Sequence, residues 1–520
     1  MRPRWVLLAV LLPAADLPAE PPKPALPEGA ILRLGTDAAR PPTAVAFAEG
    51  GKAIYTGTDD ELCRCDATTG KQTTRRKAEA ASLAVSPDGD YLATVGPISD
   101  KASVWKLPSL EKTGRPGESV LVRAEPSRLS ASAGAFFVTH ADTIVPHGWA
   151  KPDIGLKPFR PLEVDGARTM TGVHFAPAPD GRSGVLAGVT KDGPQLVWWD
   201  FAAGKVTRRR TNGRPPKREA KEKAPDPADA PAFPLAFVPN GRLLVAESEY
   251  GFLLLSGDTG ERVRTLCPRW RLAVARPAPR GYVDWRIPFA LSPDGRLLAV
   301  GRDRGILLIE VVSGCIRWSF DPGERVTALA FSPDGARLAS GGDGDSTLVW
   351  DVYAADGRPA DVSQLKSERV SAHQAIATLL RQPAALVAVA KTLPAVMTLD
   401  AAQIHRWLTD LDNARYVVRE TAQAGLAKLP LEVRPTIEAY LKTPGLSAEA
   451  VARAERARDA LPAPPVAEDL WRVSRILEML ERLNTPDARA EMTRLAAGEQ
   501  GYALTVEAAE SLARMAKRAK

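Results

Sequence analysis

RVTALAFSPDGARLASGGDGDSTLVWDVY, residues 325–353, is the stretch on which the fold turns. It reads as an apolar strand, the turn Ser332-Pro333-Asp334-Gly335, a second strand, an Asp/Gly turn and a third strand ending Val349-Trp350-Asp351. The turn has a physical reason. Pro presets φ at the first central position, Asp suits the second, and Gly takes the positive φ that closes the hairpin.

The phrase recurs along the chain. Residues 286–320 read RIPFALSPDGRLLAVGRDRGILLIEVVSGCIRWSF, and residues 81–107 read ASLAVSPDGDYLATVGPISDKASVWKL. Residues 171–200 carry Ala178-Pro179-Asp180-Gly181, and residues 232–266 carry Val238-Pro239-Asn240-Gly241. Residues 43–76 carry a decayed turn, Ala48-Glu49-Gly50-Gly51. Turns therefore start at 48, 86, 178, 238, 292 and 332, in steps of 38, 92, 60, 54 and 40 residues. A propeller repeat runs about 40–45 residues, so the longest step hides a seventh unit. Leu129 to Val138, with Trp149 behind it, is that unit in worn form. The other long steps carry insertions.

These features resemble the WD40 family: the Ser-Pro-Asp-Gly turns, Asp192-Gly193 and Asp303-Arg304-Gly305, and the endings Trp199-Asp200 and Trp350-Asp351. Val104-Trp105-Lys106 is a near match. No Gly-His dipeptide occurs, so the His–Asp–Ser/Thr–Trp network of many eukaryotic WD40 blades should be absent, as in plainer bacterial versions. The resemblance implies a seven-bladed β-propeller over residues 29–355. Runs such as Gly251-Phe-Leu-Leu-Leu255 and Gly305-Ile-Leu-Leu-Ile309 are continuously apolar, as burial on both faces requires. A β-sandwich would use similar strands, but not one fixed repeat with one turn signature. The ring needs a fourth strand for its last blade, and Gly29 to Gly35 (GAILRLG) is expected to supply it, capping an exposed edge.

From Ser363 the apolar period changes from two to three and four. The spacing predicts helices over 368–381, 383–391, 400–411, 413–429, 432–443, 447–461, 467–483, 486–497 and 504–518. Asp400 with Gln403, and Ser447 with Glu449, supply N-terminal caps, and Pro430, Pro444 and Pro462 mark stops. Residues 412–429 are similar to a HEAT helix, with Val418, Ala422 and Leu426 on one face. The second domain, 363–520, is therefore expected to be all-α, as a HEAT-like solenoid or a plain bundle.

Arg2 and Arg4, the apolar run Trp5 to Leu12 and the small residues after it read as a secretory signal over 1–19, followed by a Pro-rich spacer over 20–28. The protein is expected to be exported to the periplasm or cell envelope, with a cytoplasmic location as the alternative. The apolar run is too short to span a bilayer. The net charge of +7 is concentrated between Lys205 and Lys223. Aromatics are not interleaved with those bases, so 205–230 reads as a solvated, disordered insertion and not as a nucleic-acid footprint. Cys63 and Cys65 lie two apart on one strand face and read as packed thiols; a Cys267–Cys315 bridge is left open.

Nothing in the chain spells out chemistry. His140, His147, His174, His373 and His405 have no metal-ligand spacing, and no nucleophile elbow, phosphate loop or dinucleotide fingerprint occurs. Asp88, Asp180, Asp294 and Asp334 sit in turns, where a structural role suffices. No catalytic, cofactor-binding, metal-binding or partner-contacting residue is assigned. The expected function is a protein–protein interaction scaffold, as a monomeric ring with no cofactor, no specific nucleic acid and no membrane span. A catalytic site at the central channel, or an exported sensor for an acidic envelope partner, are the alternatives.

Overall fold

In the computed structural model, every legible turn closes as its residues dictate. Gly89, Gly181, Gly241, Gly295 and Gly335 all have φ between 67° and 81°. Each donates its N–H to the carbonyl three residues back. The Asp or Asn before the glycine accepts an N–H two residues on: Arg182, Arg242, Arg296 and Ala336 donate at 2.8–3.1 Å. Ser292 and Ser332 add hydroxyl bonds of 2.5 Å to Asp294 and Asp334. The structure describes residues 25–34, 41–96, 102–114, 128–131, 135–140, 143–149, 174–190, 193–211, 233–248, 251–268, 287–302, 304–344, 347–354, 361–367, 370–393, 400–429, 433–461, 467–498 and 503–518.

These turns build seven antiparallel sheets. A lone N-terminal strand, β1 (Ala30–Leu34), comes first. Blade 1 is β2 (Ala44–Ala48), β3 (Ala53–Gly57), β4 (Glu61–Asp66) and β5 (Gln72–Lys77). Blade 2 is β6 (Ser82–Val85), β7 (Tyr91–Val95), β8 (Ser103–Lys106) and β9 (Glu111–Gly114). Blade 3, the worn unit, shows β10 (Arg128–Ala131), β11 (Ala135–His140) and β12 (Thr143–Gly148). Blade 4 is β13 (His174–Pro177), β14 (Ser183–Thr190), β15 (Gly193–Asp200) and β16 (Lys205–Thr211). Blade 5 is β17 (Phe233–Phe237), β18 (Leu243–Ser248), β19 (Gly251–Ser256) and β20 (Arg262–Pro268). Blade 6 is β21 (Phe289–Leu291), β22 (Leu297–Arg302), β23 (Gly305–Glu310) and β24 (Ile316–Phe320). Blade 7 is β25 (Val326–Phe331), β26 (Arg337–Gly342) and β27 (Thr347–Asp351), completed by β1, which pairs Leu32 with Val349 and Leu34 with Thr347. The N-terminal segment thus closes the ring, as its sequence indicates.

Seven apolar clusters, one at each seam between neighbouring blades, hold the circle together. The continuously apolar strands divide between two seams with period two. On β19, Phe252 and Leu254 face blade 6, while Leu253 and Leu255 face blade 4. On β11, Phe136 packs toward blade 2 and Phe137 toward blade 4. Fully burying each such side chain contributes about 1.5–3 kcal/mol. Cys63 and Cys65 are buried free thiols, pushed above their ordinary pKa by burial; the Cys267 side chain lies outside the described residues.

Two expectations need correction. Lys205–Thr211 is not loop: it forms the outer strand of blade 4, paired to β15 from Gln195↔Thr211 to Asp200↔Lys205. Arg208 and Arg210 donate to the carbonyls of Asp258 and Thr259 in the next blade, at 2.5 and 3.1 Å, and so stitch blade to blade. The rest of the expected insertion lies outside the described residues, as does the segment read as a signal. The tryptophan network also survives in part. Without any histidine, Trp350 donates to Ser340 at 2.8 Å and Trp105 to Thr94 at 3.1 Å.

Nine helices follow among the described residues: α1 (Val370–Leu380), α2 (Pro383–Lys391), α3 (Ala401–Asp410), α4 (Tyr416–Ala427), α5 (Arg434–Leu441), α6 (Ala448–Asp459), α7 (Ala467–Leu483), α8 (Pro486–Ala496) and α9 (Ala503–Arg518). Asp400 and Ser447 cap α3 and α6, accepting from Gln403 and Ala450. The helices divide between two cores. α1, α2, α7, α8 and α9 share one, around Ile376, Leu386, Leu480 and Met492. α3 to α6 share another, around Leu408, Ala422, Leu426 and Ala454.

Candidate functional site

Strand direction alternates across a blade, so the ring has two distinct faces. The turns joining first to second and third to fourth strands emerge on one, here the lower face. The links from second to third strand, and from one blade to the next, emerge on the upper face.

The lower face under blades 6 and 7 is taken by the protein's own helices, through a seam of buried charges. Arg296 follows the turn of blade 6. Its guanidinium donates to Glu507 at 3.0 Å, Glu481 at 2.8 Å and Ser511 at 2.9 Å. Arg514 donates twice to Glu481, at 3.0 and 2.8 Å. Arg317 of β24 donates to Glu478 at 2.7 Å, and the Tyr353 hydroxyl donates to the same carboxylate at 2.8 Å. Glu310, the last residue of β23, takes a two-pronged contact from Arg475 at 2.8 and 2.6 Å. The third nitrogen of Arg475 donates to the carbonyls of Leu365 and Ser367. The Arg482 guanidinium lies 4.3 Å from the centre of the Tyr353 ring. His373 of α1 stacks on Trp318 at 4.5 Å and meets the Ala354 carbonyl at 2.7 Å.

Helix α7 makes this seam because it has two useful faces. Ile476, Leu477, Met479 and Leu480 enter the helical core. Arg475, Glu478, Glu481 and Arg482 recur at three and four residues and meet the ring. Burial raises the carboxyl pKa of Glu310 and Glu481, but arginine contacts outweigh it and hold both below the ordinary range. For Asp294 burial is likewise outweighed, by Arg296 and the Ser292 hydroxyl. Burial first, and then Glu478, push the Tyr353 hydroxyl well above its ordinary value. Burial, aided by Arg317, pushes His373 down to about 3, so it stays neutral. Carboxylates held ionised in this way make a joint; a proton-donating carboxylic acid needs the opposite shift.

Elsewhere, two smaller ion-paired groups occur among the described residues: Glu49 accepts from the Tyr55 hydroxyl and from Arg64, and Arg453 donates to Glu449 and Glu420. First strands of neighbouring blades touch around the axis, β25 against β2, β2 against β6, β6 against β10, β10 against β13, β13 against β17 and β21 against β25. Of these seven strands only β10 and β13 carry a titratable residue, Arg128 and His174. His147 is buried against Phe136, and burial pushes it down to about 4. His405 is exposed on α3, and the side chains of His140 and His174 lie outside the described residues. Asp88, Asp180, Asp294 and Asp334 close their own turns. Among the described residues, no three His, Cys, Asp or Glu converge as a metal site, and no helix is long and apolar enough to cross a membrane. The seam residues were not singled out from the sequence. Their signal was charge at helical spacing on α7 and a glutamate ending the otherwise apolar β23.

Residues 315–351 match the WD40 family model, described as "WD domain, G-beta repeat". They form a WD40 repeat. The matched WD40 unit covers β24 to β27, so it begins on the outer strand of one blade and ends on the third strand of the next. WD repeat-containing protein SL1-17 of Schistosoma mansoni is 26% identical over 180 residues, 34% of this chain and 49% of that protein. The chain thus spans about half the length of this relative. Among solved structures, hydrazine synthase of Kuenenia stuttgartiensis is 14% identical with a TM-score of 0.43, over 62% of this chain and 99% of that one. WD40 propellers generally serve as scaffolds that bind protein partners.

Proposed function

We propose that this protein is an exported bacterial interaction scaffold whose ring holds a protein partner on its upper face. The observation that carries the reading is the division of the two faces: the protein's own helices occupy the lower face under blades 6 and 7 through the Arg296, Arg317 and Glu310 contacts. The upper face carries exposed, mixed charge, including Asp59, Arg304 and Asp343, as an open recognition rim requires. The basic N-terminal residues and apolar run support export. The helices α3 to α6 support a HEAT-like reading, with Ala422 and Leu426 of α4 facing their core.

The test is retention of partners from a native envelope fraction by the tagged full chain and by an Asp59→Arg/Arg304→Glu variant. The reading expects a discrete partner that the variant loses. Retention unaffected by the rim changes overturns the upper-face assignment. Recovery of the protein only from cytosol overturns the export assignment.

A further inference from the structure

The repeat places one position of every legible blade in the same backbone environment on the lower face. It is the residue following the turn glycine, whose carbonyl accepts the N–H of the residue after the third strand. Lys52, Asp90, Arg182, Arg242, Arg296 and Ala336 accept in this way from Ala67, Leu107, Phe201, Gly257, Val311 and Val352. Side chains as different as Lys, Asp and Ala occupy it, so the turn itself does not require arginine. Yet blades 4, 5 and 6 all carry arginine there.

The turns of these blades are neighbours. A Cβ on Gly241 would lie 3.8 Å from Pro179, and one on Gly295 would lie 2.7 Å from Pro239. Arg182, Arg242 and Arg296 therefore form a row along one face. Only Arg296 is engaged, by glutamates of α7 and α9. Arg182 and Arg242 are exposed and form no ion pair among the described residues. In blade 5, Asn240 replaces the turn aspartate, which leaves Arg242 without the intrablade carboxylate that Asp294 gives Arg296. The existing joint already reaches this far: Asn240 donates to Glu510 of α9 at 3.4 Å.

We infer that the lower face of blades 4 and 5, at Arg182 and Arg242, is a second docking surface, and that it takes an acidic helix of a partner protein. The occupant is argued from the neighbouring blade, where two helices present glutamates to the equivalent arginine. The new helix would continue that arrangement along the row, beside α9. Arginine suits this role because its planar donor fork meets a carboxylate in a defined geometry. This surface is separate from the upper rim, so the two assignments fail independently.

The experiment titrates the full chain with a stapled helical peptide bearing glutamates at three- and four-residue spacing on one face. A glutamine twin and a heparin fragment serve as comparison probes. Binding is expected for the glutamate helix, weakened at least tenfold by Arg182→Gln/Arg242→Gln and absent for the twin. Arg208 and Arg210 are also close by, but they are engaged by the Asp258 and Thr259 carbonyls, and Arg210 also by the Glu261 carboxylate. An Arg209→Gln variant, on the other side of β16, therefore controls for diffuse charge and should change nothing. Equal binding by the double variant, no binding by the wild type, or equal uptake of heparin by wild type and double variant each overturns the inference. Unchanged melting of the double variant separates lost binding from lost fold.

Discussion

Replacing Arg475 by Ala should separate the helices from the ring before either unfolds. Its guanidinium is nearly fully buried and holds both oxygens of Glu310 at 2.8 and 2.6 Å. Removing one partner of a buried, hydrogen-bonded ion pair costs about 3–5 kcal/mol, because the remaining charge is stranded away from water. The carbonyls of Leu365 and Ser367 would lose donors as well. That cost is a large share of a typical stability of about 5–15 kcal/mol. The double variant Glu310→Leu/Arg475→Met should recover most of the loss, since no buried charge remains, leaving about 1–3 kcal/mol for the orphaned carbonyls. Urea unfolding followed by tryptophan fluorescence, with a Trp471→Phe background subtracted to isolate one of the eleven tryptophans, reads the joint, because Trp471 is buried in α7 with Arg475 over its ring. The cycle completed with Glu310→Leu isolates the pair. If Arg475→Ala costs under about 1 kcal/mol, or the double variant is no better than the single, the pair does not carry the joint.

Three further outcomes follow from the geometry. Leu254→Ala opens the seam between blades 5 and 6, where the side chain is fully packed, and should cost about 2–5 kcal/mol in chemical denaturation. Deleting residues 29–34 uncovers β27 and should lower the melting temperature and promote concentration-dependent aggregation by light scattering; a monomeric variant melting like wild type would contradict the closure. Acid should weaken the fold in two stages. His373 and His147 stay neutral down to about 3 and about 4. From their ordinary pKa near 6.5 down to those values the unfolded chain binds protons that the fold excludes, so stability falls by up to about 1.4 kcal/mol per pH unit for each. Glu310 and Glu481 have lowered pKa values, so their contribution is present above the ordinary carboxylate range and disappears as pH falls through the folded values. Urea midpoints at about pH 7, 5.5 and 4.5 measure the first stage, and His147→Phe should flatten part of it.

The sequence revealed most of what is local. Pro383–Lys391 and Ala467–Leu483 begin and end where their apolar period and flanking residues indicate. The Ser-Pro-Asp-Gly turns announced their blades, and the overlong step between residues 86 and 178, with the strand-like run Leu129 to Val138 inside it, announced the worn one. What stayed hidden depended on distant partners. Arg475, Glu478 and Glu481 look like the wet face of α7 until β23 and β24 arrive from more than 150 residues upstream. Lys205–Thr211 looks like solvated coil until Arg208 and Arg210 find carbonyls in the next blade. The division of nine described helices between two cores was equally invisible, since each helix is amphipathic whichever core it joins.

The pairing of Leu34 with Thr347 also sets a clock on biosynthesis. A ribosome adding about 5–20 residues per second needs roughly 15–60 seconds between making those two residues. Throughout that interval the earliest strand has no mate, and each completed wedge offers a bare flank to whatever is nearby. Until Thr347 and its neighbours emerge, the nascent ring is an open arc whose first strand lacks its partner.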